Sequence, residues 1–174
     1  MVVRSVVRRG RLKELGVGGA TFSAAGSELP APVGATVQIP SDKSIKASVT
    51  FENTGSGTVS GTFTVMVMYA DTLSDSSGNP EEDANTWFSE CDDWHMGERR
   101  DLTLNPGASA TLDAEAAVPA NQWSEGTKID AGIVLVVSIG GTTYYLDSLK
   151  IADAVEIIAP TLRVEISNVT FSEA

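Results

Sequence analysis

The residues best suited to chemistry are concentrated in segment 71–98, which reads DTLSDSSGNPEEDANTWFSECDDWHMGE. It holds nine carboxylates and no lysine or arginine, together with Trp87, Phe88 and Trp94. A loop of this length in a domain is usually functional or disordered, and disordered segments rarely concentrate aromatic residues. The simplest interpretation is a solvated flap whose aromatic residues cover one end of the sandwich. The alternative is a partner-binding loop with Trp87, Phe88 and Trp94 as anchors in an acidic rim.

Calcium is a weaker interpretation of the same segment. Its side-chain oxygens could surround a hard cation, and the candidate ligands are Asp71, Asp75, Asn79, Glu81, Glu82 and Asp83. Their spacing differs from the D-x-[DN]-x-[DN]-G-x5-E pattern of an EF-hand. The first expectation is therefore that the protein has no cofactor, with calcium as the alternative.

Cys91 and His95, the single cysteine and the single histidine, are four residues apart. They could hold a transition metal from one helix face, but two ligands seldom form a site without others. As a nucleophile and base they would need a third orienting group and an oxyanion hole. Since the chain also lacks the common nucleophile, zinc and phosphate-loop motifs, the sequence predicts a protein that is not an enzyme.

A basic N-terminal arm, residues 1–15, is a second candidate binding element. It reads MVVRSVVRRGRLKEL, and its five basic residues precede the first acid; they are Arg4, Arg8, Arg9, Arg11 and Lys13. The arm predicts docking onto an acidic protein neighbour, such as another copy of the chain or a viral shell. A solvated tail and nucleic-acid contact are alternatives, although no aromatic residue is interleaved for base stacking.

Charge and composition exclude several classes of protein. The 174 residues have a net charge of −11, and residues 14–174 alone carry −16 because residues 1–13 contribute +5. Such an acidic body repels nucleic acid and anionic lipid over most of its surface. With 42% hydrophobic residues the chain can form a core. It has no apolar run long enough to span a membrane, and its start does not fit a secretory signal.

Alternation of apolar and polar residues dominates the sequence from about residue 33. Segment 45–52 places every second residue on one apolar face, and the same holds for 63–69. The glycine-rich turn NTGSG between them predicts a hairpin of adjacent antiparallel strands. Met66 and Met68 lie on the second face of 63–69 and suggest that this strand is covered on both sides.

The sequence predicts two turns and one central strand from glycine, proline and β-branched residues. Asn105-Pro106-Gly107-Ala108 fits a type II turn, because proline presets φ and glycine accepts a positive φ. Gly140-Gly141 predicts a two-residue hairpin. The segment KIDAGIVLVVSIG before it is nearly all apolar and β-branched at its centre, which predicts a central strand.

These signals predict an all-β fold, a two-layer antiparallel immunoglobulin-like β-sandwich of seven or eight strands with N- and C-terminal extensions. The sandwich is expected to span 16–159, and 160–174 to form a last strand or an arm. No helix is expected in the body. The arm itself is open between a short docked helix and an extended chain.

The sequence resembles CARDB-like surface sandwiches of bacteria and archaea over roughly residues 33–145. The resemblance rests on a strand ending in an Asn-x-Gly turn, a long strand ending in tyrosine and aspartate, and a Pro-Gly turn; these are Asn53 and Gly55, Tyr69 and Asp71, and Pro106 and Gly107. It implies the fold more than the function. Similar sandwiches also serve as decoration, fibre and tail modules of viruses.

The leading functional prediction is a non-enzymatic structural protein of a virion, a capsid decoration or tail-associated protein that docks through its terminal arms. It would work with other copies of itself or with a shell or tail protein, and away from membranes. The alternative is a cell-surface module that binds a glycan or a protein through segment 71–98, with Trp87, Trp94 and Trp123 as candidates for stacking on sugars.

Overall fold

Two β-sheets packed face to face form the body of the protein. The computed structural model describes residues 15–24, 36–113 and 117–160. Ten strands lie in these ranges: β1 Leu15–Ala24, β2 Val37–Pro40, β3 Ser44–Asn53, β4 Val59–Ala70, β5 Asp93–Met96, β6 Arg100–Leu104, β7 Ser109–Asp113, β8 Val118–Pro119, β9 Lys128–Ile139 and β10 Thr142–Ile158. The all-β sandwich predicted from the sequence is confirmed, with more strands than expected.

One sheet has four strands and the other has six. In the four-stranded sheet the order is β1-β3-β7, and β8 pairs with β3 beyond β7; in the six-stranded sheet the order is β2-β10-β9-β4-β5, and β6 continues beyond β5 along β4. Strand β9 is central, as its apolar sequence predicts. All pairs are antiparallel except β2 with β10, which run parallel.

The chain crosses between the sheets after β3, so the predicted hairpin of β3 and β4 is wrong. Strand β3 pairs with β1, β7 and β8, whereas β4 pairs with β5, β6 and β9. Asn53 fixes the crossing: its buried Nδ2 donates to the carbonyls of Gly57 (2.8 Å) and Leu104 (2.9 Å). The two apolar faces then meet across the core, where Phe51 and Phe63 stack at 5.5 Å.

Both predicted turns are confirmed. Gly107 has a φ of 75°, and the N–H of Ala108 donates to the carbonyl of Asn105 at 2.9 Å, as a type II turn requires. Gly140 and Gly141 have φ of 58° and 81° and connect β9 to β10. Positive φ at both central residues matches the hairpin turn that favours glycine pairs.

Segment 71–98 is not a loop, contrary to expectation, because it contains helix α1 (Pro80–Glu90) and strand β5. Asn79 caps the helix by accepting from the N–H of Glu81, and Pro80 occupies the first turn, where no N–H is needed. The acidic first turn suits the positive end of the helix dipole. Because only three residues of the helix are buried, its amphipathic signal in the sequence is weak.

A second hydrophobic cluster lies beneath α1, on the outer face of the six-stranded sheet. Its buried members are Met68, Ala70, Leu73, Ala84, Trp87, Val134 and Val136. The main core lies between the sheets, so β4 and β9 are covered on both faces, as Met68 predicts for β4. In the described residues, no helix has the length and hydropathy to span a membrane.

Candidate functional site

Trp87, one of the three predicted anchors, is part of the second cluster rather than of a surface. Its side chain is fully buried, and its Nε1 donates to the carbonyl of Ser74 at 2.8 Å. The indole lies on Gly132 of β9 so closely that a Cβ at this position would come within 2.6 Å of the ring. Trp87 therefore holds α1 on the sheet and offers no contact area to a partner.

Phe88 and Trp94 are exposed and touch each other. The fractional exposure is 52% for Phe88 and 41% for Trp94, and their rings meet edge to face at 5.2 Å. Phe88 comes from the last turns of α1, whereas Trp94 comes from β5, where it lies beside Met68 of β4. The helix and the strand thus bring two of the predicted anchors together.

Two carboxylates, Asp92 and Asp93, directly precede Trp94 in the chain. Asp92 is exposed, Asp93 is half-buried, and within the described parts of the chain neither forms an ion pair. Trp123 Nε1 donates to Asp92 at 3.0 Å, and Gln122 Nε2 donates to Asp93 at 2.9 Å. Glu90 is engaged elsewhere, because its two carboxylate oxygens accept from the N–H and the Oγ of Ser74. We call Phe88, Asp92, Asp93 and Trp94 the aromatic–acidic patch.

Asp83 anchors α1 from beneath the helix. Its buried carboxylate accepts hydrogen bonds from Ser76 Oγ (2.5 Å), Ser77 N (2.7 Å) and Ser148 Oγ (2.6 Å). Burial alone would raise the pKa of this carboxyl group, but the hydrogen bonds from these serines outweigh burial and lower it. Asp83 therefore stays ionised and ties the helix to the preceding segment and to β10.

The calcium candidates do not converge on a common point in the described structure. Asp83 is occupied by serines, Asp71 is exposed, and Asp75 forms an ion pair with Lys150 at 3.2 Å. Lys150 also pairs with Asp130 at 3.2 Å. Across residues 15–24, 36–113 and 117–160 there is no group of three or more His, Cys, Asp or Glu side chains placed to hold a metal ion.

Cys91 and His95 do not share a helix face. Cys91 follows the last residue of α1 and packs at the edge of the second cluster, and burial raises the pKa of its thiol. His95 lies in β5, is only 5% exposed, and has its ring 5.5 Å from that of Tyr69. Neither ring nitrogen of His95 has a hydrogen-bond partner in the described structure. Burial lowers its pKa to about 4, although nearby Asp93 opposes this effect.

A groove that was not predicted from the sequence lies on the outer face of the six-stranded sheet, in the part that α1 leaves uncovered. Its volume is about 210 Å³, and its lining residues are Thr62, Thr64, Met66, Met96, Arg99, Val136, Ser138, Thr143 and Tyr145. Tyr145 is 38% exposed. Four hydroxyl groups from serine and threonine line the groove because they alternate with core residues along β4, β9 and β10. This alternation of polar and apolar residues is the sequence signal from which the groove could have been predicted.

The basic residues of the arm, Arg4, Arg8, Arg9, Arg11 and Lys13, lie outside the described residues, as does segment 161–174. Their predicted contacts stay predictions. Leu15 is the first described residue of β1. Trp123, proposed for sugar stacking, is only 7% exposed, because it closes the end of the sandwich.

No protein-family model matches the chain, and no curated protein matches its sequence. Among solved structures, a glycosyl hydrolase family 2 member from Bacteroides cellulosilyticus is similar, with 13% identity and a TM-score of 0.40 over 80% of this chain and 15% of the enzyme. A β-glucuronidase from Bacteroides uniformis has 9% identity and a TM-score of 0.41 over 79% and 14%.

A β-glucosidase involved in saponin metabolism, from intestinal bacteria, has 15% identity and a TM-score of 0.32 over 76% of this chain and 16% of that protein. The chain therefore spans about one seventh of the length of each of these three enzymes. The resemblance to CARDB-like domains has no matching family model and stays a resemblance.

Proposed function

We propose that the protein is a non-enzymatic interaction module whose aromatic–acidic patch binds a basic, partly apolar segment of a protein partner. The observation that carries the proposal is the exposed, edge-to-face pair of Phe88 and Trp94, which Asp92 and Asp93 adjoin in the chain without forming ion pairs among the described residues. Exposed aromatic side chains are the residues that most often dominate protein interfaces. Arginine suits this setting because it stacks on tryptophan and binds carboxylates.

Preorganisation of the patch supports the proposal further. Trp87 and Asp83 hold α1 on the sheet, so Phe88 is presented by a fixed helix rather than by a mobile loop. Trp94 is held by pairing of β5 with β4. A partner would therefore lose little affinity to ordering of this surface.

Binding of a basic probe peptide tests this function. We expect a synthetic peptide of alternating arginine and leucine to quench or shift tryptophan fluorescence on binding, with weaker binding at high salt. Trp94→Ala and Phe88→Ala should each reduce affinity at least tenfold, measured by calorimetry, since hot-spot residues contribute about 2 kcal/mol or more and a tenfold change corresponds to about 1.4 kcal/mol.

Tyr145→Ala is the matched control, because this exposed tyrosine lies in the groove and outside the patch. It should bind the peptide like the natural protein, and an acidic peptide should not bind either protein. Equal affinity of the Trp94→Ala, Phe88→Ala and natural chains would refute the proposal.

Glycan binding is a second candidate, favoured by the hydroxyl-lined groove beside Tyr145. A sugar ring could stack on the tyrosine while serine and threonine hydroxyls exchange hydrogen bonds with it. Electrophoresis in gels containing cellulose derivatives or xylan tests this candidate: retardation that Tyr145→Ala abolishes and Trp94→Ala preserves would support it. The absence of retardation by such neutral polysaccharides would count against it.

The virion role predicted from the sequence is a more specific proposal than binding of a basic segment. It depends on the two terminal arms, and residues 1–14 and 161–174 lie outside the described structure. A patch for basic segments is compatible with docking in a capsid or a tail. Incorporation of the full chain into particles, with and without its arm charges, tests that role.

A further inference from the structure

We propose that the partner of the patch is the basic arm of a second copy, so that copies bind head to tail. This inference rests on the proposed function and names the occupant of the patch. The arm has the required chemistry, since its five basic residues are interleaved with Val2, Val3, Val6 and Val7. The positive charge of these five residues complements the patch, whose carboxylates carry no ion pair among the described residues.

Leu15, to which the arm is joined, lies at the end of the sandwich opposite the patch. Leu15 pairs with Asn53, and the side chain of Asn53 bonds to Leu104, which pairs with Val59 at the start of β4. Trp94 pairs with Met68, nine residues further along the same strand. At about 3.3 Å per residue, the two ends are about 30 Å apart along the strand direction.

The patch also lies across the sheet from the arm. The N–H of Val17 in β1 donates to Asp147 of β10 at 2.7 Å, so β1 lies beside β10. Strand β5, which carries Trp94, is three strands away from β10 in the sheet. With strands spaced about 4.8 Å apart, this adds about 14 Å of lateral distance.

Most of the arm is too short to reach the patch of its own copy. The separations of about 30 Å along the strands and about 14 Å across the sheet combine to a straight-line distance of about 33 Å from Leu15 to Trp94. A fully extended chain covers at most about 3.6 Å per residue, so Arg8, seven residues before Leu15, reaches about 25 Å. Arg9, Arg11 and Lys13 reach less far. Only a second copy can place these four basic residues together on the patch.

The interaction is heterologous, because the donor and the acceptor are different surfaces of the same chain. Each copy can donate its arm at one end and accept an arm at the other. Repetition of this contact produces a ring if the rotation closes and a filament if it does not. The proposal therefore predicts association beyond a dimer.

Complementation between two variants tests the proposal. The arm-neutral variant carries glutamine in place of Arg4, Arg8, Arg9, Arg11 and Lys13, and the patch variant carries Phe88→Ala with Trp94→Ala. We expect the natural chain to gain mass with concentration in light scattering, while each variant alone stays near 18 kDa. An equimolar mixture should form a dimer of about twice that mass, because one intact arm meets one intact patch.

Three outcomes separate this inference from the proposed function. A mixture that stays monomeric overturns head-to-tail binding, and the proposed function survives if the probe peptide binds the arm-neutral variant. Failure of the peptide to bind that variant overturns both. A natural chain that is monomeric at all concentrations also overturns the inference. Circular dichroism confirms that the variants are folded, and Tyr145→Ala should associate like the natural chain.

Discussion

The aromatic residues of segment 71–98 show how one residue type serves two purposes. Trp87 and Phe88 are neighbours in the sequence, yet the helix turns the first into the second cluster and the second toward solvent. Periodicity decides this division, because successive residues of a helix point about 100° apart. Without a predicted helix, the sequence could identify the aromatic set and could not separate structural from exposed members.

Trp87 should contribute strongly to stability. Trp87→Ala removes a fully buried indole and leaves a cavity over Gly132, so we expect the free energy of unfolding in urea to fall by about 3–5 kcal/mol. Phe88→Ala is the matched control, since this exposed side chain should change stability by less than about 0.5 kcal/mol. Equal losses for both variants would show that Trp87 is not the anchor of α1.

His95 should make the protein sensitive to mild acid. Its pKa is lowered from 6.5 to about 4 in the folded state, so the unfolded chain binds the proton first as the pH falls. The free energy of unfolding is therefore unaffected by His95 above pH 6.5. It declines as the pH falls toward 4, by about 3 kcal/mol in total.

Urea unfolding at several pH values measures this decline, and His95→Leu should remove it between pH 6.5 and 4. The carboxylates whose pKa values are lowered, such as Asp83, lose their contribution to stability only from about pH 5 downward, so the comparison is cleanest between pH 6.5 and about 5. An unchanged slope in the leucine variant would assign the effect to other groups.

At the scale of elements, α1 depends on polar anchoring as much as on apolar packing. Asp83→Asn removes the charge that three serine groups bind and leaves an amide nitrogen facing donors. We expect about 2 kcal/mol of destabilisation, concentrated in α1, because charge-assisted hydrogen bonds contribute about 1.5–3 kcal/mol.

Hydrogen exchange resolves where this loss occurs: amides of α1 should exchange faster while those of β9 keep their protection. The exposed neighbour Glu82 supplies the control, as Glu82→Gln should leave exchange unchanged. Uniformly faster exchange throughout the sandwich would mean that the helix and the sheets unfold as one unit.

The crossing between β3 and β4 depends on Asn53. Asn53→Ala leaves the buried carbonyl of Leu104 without this donor, so we expect a loss of about 1–3 kcal/mol in unfolding free energy. Asn105→Ala is the control, since the Asn105 side chain bonds only the exposed Thr58 among the described contacts. A loss smaller than in the control would show that the turn alone fixes the crossing.

Local signals predicted the turns at Gly107 and Gly140–Gly141, because φ at these positions is a property of glycine itself. They failed at the β3–β4 connection, since alternation specifies a strand and its apolar face but not its partner. They also failed at α1. Its Asn79-Pro80 start was readable, but its acidic body obscured the buried face. Phe88 and Trp94 were predicted, whereas their contact depends on tertiary structure.

At the scale of the whole molecule, charge repulsion opposes compactness. The chain holds 23 Asp and Glu against 12 Lys and Arg, and most of the ion pairs among the described residues are exposed. Screening of the repulsion should outweigh the loss of these pairs. We expect the melting temperature to rise when NaCl increases from 20 to about 300 mM, where the Debye length approaches 6 Å. A fall would show that the ion pairs dominate.

The positions of the three tryptophans also provide an optical readout of the molecule. Trp87 reports the fit of the helix on the sheet, Trp123 reports the closed end of the sandwich, and Trp94 is open to solvent. Single-tryptophan variants, with phenylalanine at the other two positions, would have fluorescence emission maxima at different wavelengths. Loosening of the helix, opening of the sandwich and occupation of its surface could then be followed separately and without an added dye.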